Sequence, residues 1–196
     1  ATAIVLLGGL ISAYLGTEIA TLGKDYFETD FAGSFLILAS LFVIAFILIC
    51  FFKPAEKFKE QINKSTRPLR NIIKQGSFIV AVCAATTGYV VMSFVMTATP
   101  VSMHVMDGFS LDHTKFVLQS HVIAMFLPSL FTAYIVKYLG LTRMMILGIL
   151  LLFVSIFTAY LSHALSNYWF SLVFLGLGWN FLFIGGTKLL SLYIFL

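Results

Sequence analysis

The sequence predicts an all-α membrane protein, a polytopic bundle of six transmembrane helices. Three observations carry that prediction. Of 196 residues, 60% are hydrophobic and only 10% charged, against about 25% charged in a soluble domain. The apolar residues gather into six runs, each near the ~20 residues a helix needs to cross a bilayer core. The charges are segregated: seven of the twelve Lys and Arg lie between Lys53 and Lys74, and Phe31 to Phe52 carries none. In lipid only helices and closed barrels satisfy the backbone, and these runs are too long and too continuously apolar for alternating barrel strands.

In chain order the spans are expected at 2–22, 32–52, 76–103, 114–138, 143–163 and 167–190. The chain opens inside an apolar run, "ATAIVLLGGLISAY", and closes in another, "LLSLYIFL". That reads as an internal piece of a longer membrane protein, since neither a basic start nor a small-residue cleavage site marks a signal peptide. Cys50 and Cys83 are too few for a disulfide framework and are expected as free, buried thiols.

The connections alternate in charge. "GKDYFETD" has one Lys and three acids, and "MDGFSLDH" is acidic. "KPAEKFKEQINKSTRPLRNIIK" has seven basic and two acidic residues, "KYLGLTR" is basic, and "HALSN" has no Lys or Arg. Basic loops stay cytoplasmic, so one topology fits every loop: N-terminus inside, and the last span ending inside near Lys188. The linker 53–75 is then cytoplasmic. Its segment "PAEKFKEQI" could form a short amphipathic helix, and its charge suits anionic headgroups rather than nucleic acid.

The spans differ in polarity. The second and fifth are apolar almost all round and can face lipid. In the first, Gly8, Ser12 and Gly16 form a small-residue face for close helix approach, followed by Glu18, either an interfacial acid or a buried coupling carboxylate. In the third, Tyr89, Ser93, Thr97, Pro100 and His104 share one face, bordered by Met96. That stripe lines a cavity, or its hydroxyls bond back to their own helix. Pro100 favours a kink or a stop. In the fourth, Lys115 and Gln119 share one face, and Thr114, His121, Met125, Pro128 and Thr132 another. Gln119 and His121 lie about 200° apart. His121 is left with three readings: solute ligand, proton carrier, or a hydrogen bond to a neighbouring helix. In the sixth, Trp179 and Asn180 lie deep in the membrane, where polar groups face protein or a cavity. Gly176, Gly178, Gly185 and Gly186 allow close packing there. A faint repeat relates Gly88-Tyr89 and Thr97 to Gly178-Trp179 and Thr187 at an offset of 90 residues, in spans that run in opposite directions, as in transporters with inverted repeats.

Two spans, a long basic loop and four further spans resemble the middle of a major facilitator superfamily transporter. "GGLISAYLGTE" resembles the GxxxGP motif of its fifth helix, with Thr17 in place of proline. "FTAYIVKYLGLTRMMILG" sits where the second half repeats a conserved loop motif; Gly140 and Arg143 remain, Ala133 replaces a glycine, and the acid is missing. "MTATPVSMH", "LQSHVIAMFLPS" and "GLGWNFLFIGGT" look like the seventh, eighth and tenth helices of a bacterial branch. The resemblance implies helices five to ten of twelve. Residues 1–52 would end the N-terminal half, 53–75 would link the halves, and 76–196 would begin the C-terminal half. It implies that the seventh and tenth helices line a central cavity and that the sixth and ninth face lipid.

The expected function is secondary active transport of a small organic solute by alternating access, proton-coupled by resemblance, in a bacterial inner membrane. Tyr89, Ser93, Met96, Thr97, Gln119, His121, Trp179 and Asn180 are the expected solute-binding residues, with Glu18 and His121 as candidate proton carriers. No catalytic residue, metal or cofactor is expected. The partners are the solute, membrane lipids and the remaining helices of the same transporter. The rivals are a non-transporting membrane receptor or scaffold, and a metal-site enzyme built on His104, His113, His163, Asp107 and Asp112, for which no paired-ligand spacing occurs.

Overall fold

A computed structural model describes residues 2–52 and 69–194. Their elements are α1 (Thr2–Leu22), α2 (Ala32–Cys50), α3 (Leu69–Ile73), α4 (Gly76–Val101) continued by a π-helical turn (Ser102–Met106), α5 (Leu111–Phe126), a 3-10 turn (Leu127–Phe131), α6 (Thr132–Leu139), α7 (Leu141–Leu161) and α8 (Leu165–Ile194). Five stretches are long and apolar enough to cross a membrane: α2, α4 with its π turn, α5 through α6, α7, and α8. α1 adds a helix of 21 residues. The expected helical bundle is present. The basic linker and the amphipathic helix expected within it lie outside the described residues, apart from α3 and Lys74–Gln75.

The chain divides into two compact units, residues 14–69 and residues 1–13 with 70–196. In the first, the end of α1 turns back into α2. Gly23 and Gly33 let the two backbones meet: a Cβ on Gly23 would stand 2.5 Å from the Ser34 nitrogen. Ser34 Oγ donates to the Ala20 carbonyl at 2.8 Å. α2 beyond that turn is almost wholly uncovered by the described residues.

The second unit is built around α8, which packs against α4, α5 and α7. Glycines on different faces of α8 explain how three helices come so close. A Cβ on Gly176 would stand 2.6 Å from the His121 carbonyl of α5, one on Gly178 2.9 Å from the Gly148 carbonyl of α7, and one on Gly186 2.8 Å from the Ala81 carbonyl of α4. Small residues at helix crossings are how membrane helices gain packing where lipid supplies no hydrophobic drive. Along α4 and α8 the paired positions run in opposite order, Ala81 beside Gly186, Gly88 beside Trp179 and Ser102 beside Tyr168, so these helices are antiparallel. α5 and α8 are parallel, pairing His121 with Leu172 and Met125 with Asn180.

Several expectations are corrected here. Pro100 does not stop its helix. α4 runs through it and continues as a π turn, Ser102–Met106, closed by the Asp107 N–H on the Ser102 carbonyl. The fourth span is not one helix: it breaks at Leu127–Phe131 beside Pro128 and resumes as α6. The connection to α7 is a single residue, Gly140, at φ +77°, a value that favours glycine. Among the described residues Gly8 and Gly16 meet no neighbour within 4 Å, while the adjacent Gly9 lies against the Phe126 ring. Cys50 and Cys83 are free but exposed, because they sit on helix faces that no described residue covers. α8 extends to Ile194, so Lys188 lies inside a helix rather than at its end.

Candidate functional site

Close to the middle of α4 and α8 the side chains form an aromatic and methionine cluster. Trp179 and Phe183, one turn apart on α8, stack with centroids 4.9 Å apart and planes 11° apart. Tyr89 of α4 meets both edge-on, at 5.8 Å and 5.4 Å. Phe126 at the end of α5 meets Trp179 edge-on at 6.3 Å. Met92, Met96 and Met125 pack around them. Aromatic rings prefer these offset and edge-on arrangements because of their quadrupoles, and thioethers adapt to the gaps between rings. Tyr89 is 48% exposed and Trp179 only 6%, so the tyrosine ring is the accessible edge of the cluster.

Above it, along the same helix, Ser93 and Thr97 are exposed and line a groove of about 650 Å³ with Phe94, Ala98, Val101, Ser102 and Met106. Of the expected stripe, Ser93 and Thr97 lie on one exposed face of α4. Beyond them His104 is taken up by the Phe109 carbonyl at 2.8 Å. The groove is apolar with hydroxyls at its edge and contains no charged side chain.

His121 and Asn180 occupy a different environment. His121 is fully buried, and its Nδ1 donates to the Leu172 carbonyl at 2.8 Å. Nε2 is enclosed without a partner among the described residues. Asn180, 1% exposed, donates through Nδ2 to the Met125 carbonyl and to Ser129 Oγ, both at 2.5 Å. The second donor set has a clear origin. In the 3-10 turn after α5 the Met125 carbonyl would pair with the N–H of residue 128, and Pro128 has none. Asn180 supplies the missing donor from the neighbouring helix. Gln119 is half-buried on another face of α5. Glu18 belongs to the other compact unit, where it lines a cavity of about 340 Å³ with Leu15, Ile19, Thr21 and Leu22.

The structure thus brings Tyr89, Ser93, Met96, Thr97 and Trp179 onto one side of α4 and α8, and places His121 and Asn180 in the packing between α5 and α8. Sequence reasoning missed Met92, Met125, Phe126 and Phe183 as members of the cluster. Phe183 follows Trp179 by four residues and Met92 precedes Met96 by four, a helical spacing that could have found two of them. Phe126 had no such signal, since it reaches the cluster only through the fold.

A second polar group closes the end of the bundle that carries Asp107. Tyr168 donates to Asp107 Oδ2 at 2.5 Å and, with its proton so placed, accepts from Ser102 at 2.7 Å. His163 Nδ1 stands 3.2 Å from Asp107 Oδ1. The hydrogen bond from Tyr168 holds the Asp107 carboxyl below its usual value; desolvation acts the other way, and His163 adds a smaller lowering.

The family model described as Major Facilitator Superfamily matches residues 1–194. The chain is 37% identical over 191 residues to the riboflavin transporter RfnT of Brucella anthropi, covering 95% of this chain and 48% of that protein. It is 28% identical over 209 residues to the uncharacterized MFS-type transporter YddS of Bacillus subtilis, with 97% and 48% covered. The chain spans about half the length of these two relatives. No solved structure gives a significant match.

Proposed function

The chain belongs to the Major Facilitator Superfamily, and from that premise we propose that it forms helices five to ten of a secondary active transporter that moves a small organic solute by alternating access. In this reading residues 1–52 end one half of the transporter, 53–75 form a cytoplasmic linker, and 76–196 begin the other half. The observation that carries it is the cluster at the middle of α4 and α8. Flat aromatic faces and thioethers lie beside a row of hydroxyls, at the depth where transporters of this kind hold their solutes. Tyr89, Ser93, Met96, Thr97 and Trp179 would touch the solute. Gln119 would border the site, and His121 and Asn180 would fix the helix that carries Phe126.

The solute class is apolar and aromatic with a few hydrogen-bonding groups, since no charged clamp is present in the cluster. The activity in the name of the Brucella relative makes riboflavin the first solute to assay. Proton coupling is part of the proposal, with Glu18 and His121 as candidate carriers, and the membrane is the bacterial inner membrane. The test is uptake of labelled riboflavin, and of other flat heteroaromatic solutes, by the full-length protein in proteoliposomes under an imposed proton gradient. Saturable uptake that collapses with the gradient supports the proposal. Solute binding without flux under any gradient would make the protein a receptor instead.

A further inference from the structure

The two tryptophans of α8 are treated differently by the fold. Trp169 gives its indole N–H to Ser120 Oγ at 2.9 Å. Trp179, more deeply buried, has no acceptor for its N–H among the described residues. A buried donor left unpaired is costly, and such groups are uncommon in folded proteins. The position of this one is defined. A Cβ on Gly88 would stand 3.8 Å from Trp179 Cδ1, the ring carbon bonded to Nε1, so the pyrrole edge of the indole faces α4 where that helix carries no side chain. Tyr89, the next residue and about half exposed, covers the indole from the accessible side. Phe126 and Phe183 complete the surround, with Met92, Met96 and Met125 packed against them.

We propose that the Trp179 N–H is the specificity-determining donor of this site, and that it selects planar heteroaromatic solutes bearing a carbonyl or ring-nitrogen acceptor at their edge. The inference rests on the transporter reading of the same site. The rings provide stacking that any flat solute can use. The single donor discriminates, because a site that has a buried donor to satisfy rejects the analogue lacking its acceptor. Tyr89 turns aside as the solute enters, and the solute acceptor then meets the N–H that the empty protein leaves unpaired.

The test replaces Trp179 in the full-length protein by 3-benzothienylalanine, which keeps the shape of the indole and puts sulfur where the N–H was. Riboflavin is the probe, and binding is read by quenching of its fluorescence. The isostere should still quench the bound flavin, since stacking is retained, while Kd rises about 10-fold, the loss of one hydrogen bond. Trp179→Phe should weaken binding further, through loss of both stacking area and donor. A rise in Kd of less than about threefold in the isostere overturns the inference. So does absence of riboflavin binding to the native protein. Neither result touches the transporter reading, which stands or falls on flux of any solute through the native protein.

Discussion

Asn180 shows how a single polar residue can be visible in a sequence while its role is not. Its place deep in an apolar run marks it as a group that must face protein or a cavity. Its partners, the Met125 carbonyl and Ser129 Oγ, lie on another helix and became available only because Pro128 left a carbonyl unpaired. Asn180→Leu should lower stability by about 1–2 kcal/mol, read as a fall in apparent Tm of the purified protein; an unchanged or higher Tm would refute its role as the missing donor. Glycines on the same helix give a sharper contrast. Gly176→Ala would drive a Cβ to 2.6 Å from the His121 backbone oxygen, which cannot move without separating α5 from α8. Gly88→Ala meets only ordinary contact at 3.4 Å. The first should therefore cost about 1–3 kcal/mol, and the second should leave Tm unchanged or slightly raised. Equal effects from the two would contradict the close crossing at Gly176.

At the scale of elements, helix positions were legible because runs of about 20 apolar residues have few other uses. The interruptions were less so. A proline signals a missing donor, but whether the helix ends, widens or tightens depends on what the neighbours supply. Beyond Pro100 the chain widens into a π turn whose two ends, Ser102 and Asp107, meet Tyr168, with His163 also on Asp107. At Pro128 it tightens into a 3-10 turn. Those four residues come from two stretches of sequence about 60 residues apart, and no local pattern relates the two. Their pH dependence follows from the lowered carboxyl of Asp107. A carboxyl lowered in the folded state contributes stability in full above its ordinary value of 3.8, and that contribution is lost as pH falls through the folded value. The Tm advantage of the native protein over Asp107→Asn should be full at neutral pH and be lost in strong acid, below the lowered value of the folded carboxyl. An advantage that persists there would show that the carboxylate charge is not what closes this end.

For the whole molecule, composition and loop charges were enough to predict a multi-pass helical membrane protein, and the match to the Major Facilitator Superfamily agrees. Which helix is central was only partly legible. The glycines of α8 announced close packing, but that α8 would meet α4, α5 and α7 together depends on how three glycine-bearing faces are distributed around one helix. The cluster beside Tyr89 forms at that crossing from α4, α5 and α8, and it is the solute site we propose. Tyr89 offers the cleanest probe, because its ring is about half exposed and its removal leaves the buried packing of α8 in place. The deciding measurement is counterflow of labelled riboflavin in proteoliposomes holding the full-length protein, comparing native, Tyr89→Ala and Phe153→Ala forms, the last on an exposed face of α7. Saturable flux is expected in the native protein, reduced about 10-fold or more by Tyr89→Ala and unchanged by Phe153→Ala. Native-like flux in Tyr89→Ala, with protein properly folded, would contradict the proposed solute site.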